Sequence, residues 1–180
     1  MDYKPRMLLH CCCGPCASYV LEHLAPNYDI TAFFYNPNIE PQAEYEKRKS
    51  EFFRLLSEVE FASKIDFLEC DYENAAFTNA VMFYRNQPEG GARCRICYQL
   101  RLRKTALRAA AGRYDIFATT MTLSPQKNAK MLNELGMEAS KEFVVEYLES
   151  DFKKNNGYLR SVELSNKLGL YRQEYCGCEI

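Results

Sequence analysis

The chain has 180 residues with 23 basic and 24 acidic side chains, a formal net charge of −1. That balance excludes the strongly basic character of a general nucleic-acid binder, so any RNA contact must use a local patch. Hydrophobic residues make up 47% and charged residues 26%, as in soluble globular domains long enough to bury one core. No apolar run approaches the roughly 18 residues of a membrane span. The opening "MDYKPRMLLHCCC" also lacks a secretory apolar stretch, so the expected location is cytoplasmic with no membrane partner.

Apolar strands and amphipathic helices alternate along the chain. "RMLLHC" reads as a first strand and "CASYVLEHLA" as the helix after it. "DITAFFY" is a second strand, stopped by "NPN", and "PQAEYEKRKSEFFRLLSEV" a long helix with Pro41 near its start. "IDFLEC" is a third strand and "NAAFTNAVMFYR" a helix. The loop "QPEGGAR" precedes a strong helix, "CRICYQLRLRKTALRAAAGR", which ends near Gly112. "DIFATTMTL" is a fourth strand. Ser124 as N-cap and Pro125 at the first helical position predict that the next helix starts there, over "SPQKNAKMLNELG". "KEFVVEYL" is a further strand, and "YLRSVELSNKLG" a last helix before "LYRQEYCGCEI". The alternation predicts one α/β domain over residues 1–180, Rossmann-like, with a mostly parallel sheet.

Ligands of such sheets sit beyond the carboxyl ends of the strands. Cys12 and Cys13 follow the first strand, Asn36 and Asn38 the second, Cys70 and Asp71 the third, and Thr122 and Ser124 the fourth. Turn chemistry explains the asparagines but not the thiols.

Nine cysteines stand at 11, 12, 13, 16, 70, 94, 97, 176 and 178. Reducing compartments disfavour disulfide frameworks, and an odd count argues against full pairing. Metal binding or redox chemistry is the leading reading. Cys94 and Cys97 are a C-x-x-C at a helix start, on one face, where the helix N-terminus favours thiolate. Cys13 and Cys16 are a second C-x-x-C, and Cys176 and Cys178 a C-x-C. Cys11 and Cys70 fit core packing as well as a function, and His10 fits a hydrogen-bonded structural role better than a ligand. Successive side chains of a strand face opposite ways, so three adjacent thiols cannot share one target. Cys11 is therefore assigned to packing, while Cys12 and Cys13 converge only if the chain turns at Gly14-Pro15. A closed zinc site wants four Cys or His ligands; the clustered thiols exceed that number and equally suit a 4Fe–4S cluster. Gly177 permits a tight bend, so Cys176 and Cys178 could add a strained, reducible disulfide.

The segments "LLHCCCGPC", "FFYNPNI", "CDYENAAF", "PEGGARCRICYQLRL", "TTMTLSPQKN", "DFKKNNGYLRSVELS" and "GLYRQEYCGC" together resemble the cobalamin-independent epoxyqueuosine reductases of the QueH family. The resemblance implies an oxidoreductase for the last step of queuosine synthesis, reducing the epoxide of epoxyqueuosine at the wobble position of tRNA with a GUN anticodon. It implies a 4Fe–4S cluster on Cys12, Cys13, Cys94 and Cys97; Cys16 is an additional candidate from its place in the first C-x-x-C. It also implies Cys176 and Cys178 as a redox-active pair or as ligands of an additional mononuclear iron, and Asp71 as a metal ligand or proton donor. The electron donor is unidentified. The fold further resembles the PP-loop (HUP-type) tRNA-modifying ATPases, but "CCCGPC" replaces their glycine- and serine-rich phosphate loop, so ATP use is not expected. A single-stranded anticodon base can be turned out and stacked. Tyr35 and Asn38 are expected beside it, with Lys127, Lys153, Lys154 and Arg160 as phosphate contacts. The competing readings are a zinc-stabilised tRNA-binding protein without redox chemistry and a thiol–disulfide oxidoreductase built on the C-x-x-C.

Overall fold

A computed structural model describes residues 3–62 and 64–178. Its single five-stranded sheet has the order β3-β2-β1-β4-β5, and every strand pair is parallel. The strands are β1 (Arg6–His10), β2 (Asp29–Phe33), β3 (Asp66–Leu68), β4 (Ile116–Thr119) and β5 (Glu146–Tyr147). The helices are α1 (Gly14–Leu24), α2 (Gln42–Glu58), α3 (Asn74–Val81), α4 (Ala92–Ala111), α5 (Ala129–Phe143) and α6 (Gly157–Lys167). This is the α/β, Rossmann-like architecture expected from the alternation. Its order reverses at β1, whose neighbours are β2 on one side and β4 on the other, and such a switch point opens a crevice at the carboxyl edge.

β1 is flanked along nearly its whole length, with Arg6 to His10 opposite Asp29 to Phe33 and Met7 to His10 opposite Ile116 to Thr119. Burial on both faces explains its uninterrupted apolar run. The pleat sorts its side chains. Met7, Leu9 and Cys11 enter a core with Val20, Leu21, Phe52 and Leu55 from α1 and α2. Leu8 and Cys12 enter the opposite core with Leu102 and Ala106 of α4 and Leu132 and Leu135 of α5. Cys11, fully buried, sends its backbone N–H to Phe33 O at 2.9 Å and its thiol toward Leu9 O at 3.5 Å. It packs away from Cys12, as the pleat requires.

Several element boundaries differ from the expected ones. α1 begins at Gly14 with Cys13 as its N-cap, because Pro15 fits the first turn. The fourth strand ends at Thr119; Thr120–Leu123 is a 3₁₀ turn in which the Thr119 hydroxyl accepts the Met121 N–H at 3.1 Å. α5 does not start at Ser124-Pro125. Asn128 caps it instead, accepting from the Met131 N–H at 3.1 Å. Both residues are capping types, but the buried stripe Ala129, Leu132, Leu135 and Ala139 starts only after Asn128. That stripe also carries α5 through Lys141–Phe143, and Val144 in the left-handed region (φ 54°) stops it, leaving the fifth strand two residues. α3 ends at Val81 and gives way to a 3₁₀ turn over Met82–Tyr84.

Candidate metal and redox site

Beyond β1 lies an open cavity of about 520 Å³. Its wall includes Cys12, Cys13, Cys16, Asn36, Arg101, Lys127 and Cys176. The thiols reach it from separate elements. Cys12 leaves β1 with its backbone N–H on Thr120 Oγ1 at 3.2 Å, which ties the ends of β1 and β4 together. Cys13 caps α1 and Cys16 occupies its first turn. Cys12 Sγ lies 3.9 Å from Cys13 Sγ and 3.5 Å from Thr120 Oγ1. The three sulfurs of Cys12, Cys13 and Cys16 all fall within 4.8 Å of one another. Among the described residues this is the one group of three Cys, His, Asp or Glu placed to share a metal ion.

Charge is divided unequally within the trio. Hydrogen bonds from the Cys13 and Cys16 thiols hold Cys12 well below the usual thiol range, with Lys127 and Arg101 adding to them. The same contacts push Cys13 up to about 11 and hold Cys16 well above the usual thiol range. At the other wall, the Cys178 thiol holds Cys176 down to about 5, again with help from Lys127 and Arg101. Cys178 is raised by the Cys176 thiolate. All nine cysteines are free thiols.

α4 brings the C-x-x-C. Cys94 accepts the Gly90 N–H at 3.2 Å, and Cys97 lies one turn below Arg101, whose Nη1 is 4.0 Å from its sulfur. Both thiols are buried in the core that holds Cys12 and Cys13, although they stand outside the 4.8 Å trio. Burial pushes Cys97 up to about 11.

Two cations explain why thiolates persist here. Burial opposes the charge on Arg101, which is 2% exposed, but the nearby sulfurs of Cys97, Cys12 and Cys176 outweigh it. Lys127 is likewise opposed by burial and held protonated by Cys176, Cys12 and Cys16. Among the described residues, no carboxylate is paired with either cation. Arg101 is fixed by Nη2 donating to Asn36 Oδ1 at 2.5 Å, and Asn36 donates in turn to Cys11 O at 2.9 Å. His10 supports the arrangement from below. Its Nε2 lies 2.9 Å from the Tyr35 carbonyl and 3.4 Å from Arg101 Nε, and its Nδ1 lies 3.0 Å from Thr119 Oγ1. Burial, then Arg101, push it down to about 3, so it stays neutral.

The other expected site residues are placed unequally. Asp71 is exposed and outside the cavity wall. Lys153 pairs with Asp151 at 2.8 Å, Lys154 with the same carboxylate at 3.5 Å, and Arg160 with Glu22 and Glu163 at 2.8 and 3.2 Å. Of the four expected phosphate contacts, only Lys127 lines the cavity. Asn38 also lines it, buried, and its Oδ1 has no hydrogen-bond partner. Tyr35 is buried, with its hydroxyl on Glu73 at 2.8 Å and its ring stacked on Phe33, so it presents no free stacking face. Sequence reading missed Arg101, although Cys94, Cys97 and Arg101 recur at steps of three and four along one helix face. Thr120 gave no local signal; it matters only because β4 lies beside β1.

A family model described as epoxyqueuosine reductase QueH matches residues 7–180. The chain is 44% identical over 177 residues to "Epoxyqueuosine reductase QueH" of Streptococcus pyogenes, covering 97% of this chain and 69% of that protein. Proteins of the same name from Staphylococcus epidermidis and Thermotoga maritima are 41% and 35% identical, with 75% and 88% of their lengths covered.

Proposed function

Because the chain belongs to the epoxyqueuosine reductase QueH family, we propose that it reduces epoxyqueuosine in tRNA to queuosine, the last step of queuosine biosynthesis, in the cytoplasm. The observation that carries this reading is the convergence of the Cys12–Cys13–Cys16 trio, Cys176 and the cations Arg101 and Lys127 on one cavity. Among the described residues, no helix is long and apolar enough to cross a membrane.

Converting an epoxide to an alkene consumes two electrons and two protons and releases water. The donor set is sulfur-rich and backed by positive charge, which suits an anionic iron–sulfur group. Cys12 and Cys13 with Cys94 and Cys97 would hold a 4Fe–4S cluster, Cys16 being a further ligand candidate beside the first pair. Cys176 and Cys178 would serve as a dithiol or hold an additional iron. Such iron supplies single-electron transfer and a Lewis-acid position for the epoxide oxygen when bound.

The chain's own residues have definable parts. Arg101 and Lys127 balance the thiolate charge, and Lys127, which lines the cavity, would meet a phosphate there. Within the C-x-C the Cys178 thiol lowers Cys176 and is itself raised by it, so Cys176 is the member of the pair that would act as thiolate. Asn38 offers an unsatisfied acceptor to a donor group of the flipped nucleoside. Asp71→Asn tests the carboxylate as ligand or proton donor; wild-type turnover in that variant removes it from the reaction.

The decisive experiment is anaerobic purification followed by iron and acid-labile sulfide analysis, with nucleoside mass spectrometry of tRNA carrying epoxyqueuosine, an external reductant supplying the electrons. The expected result is a brown protein that forms queuosine, with both properties lost in Cys12→Ser and Cys94→Ser. A colourless or zinc-only protein that leaves the epoxide intact overturns the proposal.

A further inference from the structure

The segment after α6 runs back along α2, and side chains of that one helix hold it. Arg54 donates to the carbonyls of Leu168 and Gly169, each at 2.8 Å. Glu51 accepts the backbone N–H of Tyr171 at 2.7 Å. Glu44 accepts the Tyr171 hydroxyl at 3.1 Å. Arg48 donates to the carbonyls of Cys176 and Tyr175 at 2.9 and 3.4 Å. These residues recur at steps of four and three, so they form a single stripe on α2. Beyond Tyr171 the main chain adds one bond to this frame, from the Glu40 N–H to Gly177 O at 2.8 Å.

Arg48 holds the end of the tail that carries the thiols. It is 3% exposed, its Nε bonds Glu44 Oε1 at 2.7 Å, and its guanidinium lies 5.1 Å from the Tyr175 ring centroid. Gly177 sits directly on it. A Cβ at that position would approach the guanidinium to 3.1–3.3 Å, and the φ of +104° is one that side-chain-bearing residues rarely adopt.

We infer that Arg48 is the positioning residue of the C-x-C turn: it fixes the Cys176 carbonyl and seats the bare Gly177 backbone, so that Cys176 reaches the cavity, with Cys178 hydrogen-bonded to it, from a set main-chain position. The role of the two thiols in turnover rests on the proposed function; the latch itself does not. Arginine is required because its planar fork can bond a carboxylate through Nε and carbonyls through both terminal nitrogens at once, which lysine cannot do.

The test compares wild type, Arg48→Lys, and the double variant Arg48→Met with Glu44→Gln, which leaves no unpaired buried carboxylate behind. Amide hydrogen exchange over residues 171–178 should rise about tenfold or more in the double variant while β1 and β4 exchange as in wild type. kcat on tRNA carrying epoxyqueuosine should fall roughly 10–100-fold with KM nearly unchanged, since misplacement rather than lost binding is the defect. Arg48→Lys should recover only part of either. Wild-type exchange in the tail overturns the latch, and a loosened tail with wild-type kcat overturns the positioning role. If wild type itself forms no queuosine, the proposed function fails, yet tail exchange still decides whether Arg48 holds the turn. Should β1 and β4 also exchange faster, the double variant has unfolded and Gly177→Ala replaces it. Its Cβ would push the turn off the guanidinium, with the same local gain in exchange expected and an unchanged tail counting against the latch.

Discussion

Two stretches of chain deliver thiols to the same cavity, and they are anchored by opposite means. Cys12 and Cys13 extend from β1, which is hydrogen-bonded along both edges and buried on both faces. Cys176 and Cys178 hang on a tail with no secondary structure of its own, bonded to the side chains of α2. Moving the first pair means disrupting the sheet, a global event. Moving the second means breaking a few side-chain bonds, a local one. The fold therefore gives the trio a fixed position and gives the C-x-C a separable one, which can open without the sheet.

The largest effect should come from the sheet. Leu8→Ala removes a fully buried side chain of β1 and should cost about 3 kcal/mol of global stability. Urea denaturation should report it, and exchange protection should fall across the strands and the tail alike. A loss confined to β1 would contradict the shared fate of sheet and trio. A smaller effect is expected from Arg54→Ala, which deletes the bonds to Leu168 and Gly169. Local opening of the tail should become easier by about 1 kcal/mol, with the urea midpoint nearly unmoved. If the midpoint shifts as far as in Leu8→Ala, the tail is no separate unit.

The smallest effect is in pH. Hydrogen bonds from Arg54, and then the Tyr171 N–H, hold the Glu51 carboxyl below its usual range against the opposing cost of burial. A depressed carboxylate contributes stability that is complete above the unfolded value and lost as pH falls through the folded one. Tail exchange, corrected for its intrinsic rate, should thus accelerate below about pH 4.5 in wild type. In Glu51→Gln it should be insensitive to pH across that window. Identical pH profiles would remove Glu51 from the latch.

Much of this was legible in the sequence, where local rules decide. The strand–helix alternation dictated a parallel sheet, and the pleat alone separated Cys11 from Cys12. Reading failed where two local signals competed or where a contact joined distant segments. Ser124 and Asn128 are both good caps, and only the buried stripe of α5 chooses between them; the choice leaves Lys127 in a loop at the cavity. Cys16 joins the trio because Cys13 caps α1 and places the first helical turn over the thiols. β3 ends at Leu68, two residues short of the expected strand, so Asp71 falls in an exposed stretch. The α2 stripe of Glu44, Arg48, Glu51 and Arg54 looks in sequence like an ordinary solvated helix face. Its partners lie more than 110 residues away, as in the Arg54–Leu168 separation of 114.

The pleat of β1 also sets how the run of three cysteines responds to a shift of the chain. Inserting one residue within the strand would move Cys11 into the place of Cys12 and Cys12 into that of Cys13, so sulfur would still occupy both positions. Deleting one would put Gly14 where Cys13 caps α1 and a thiol where His10 meets Thr119. Consecutive cysteines thus keep sulfur at the two positions beyond β1 when the strand lengthens, although Cys16 and His10 leave their places, and lose the second of those positions when it shortens.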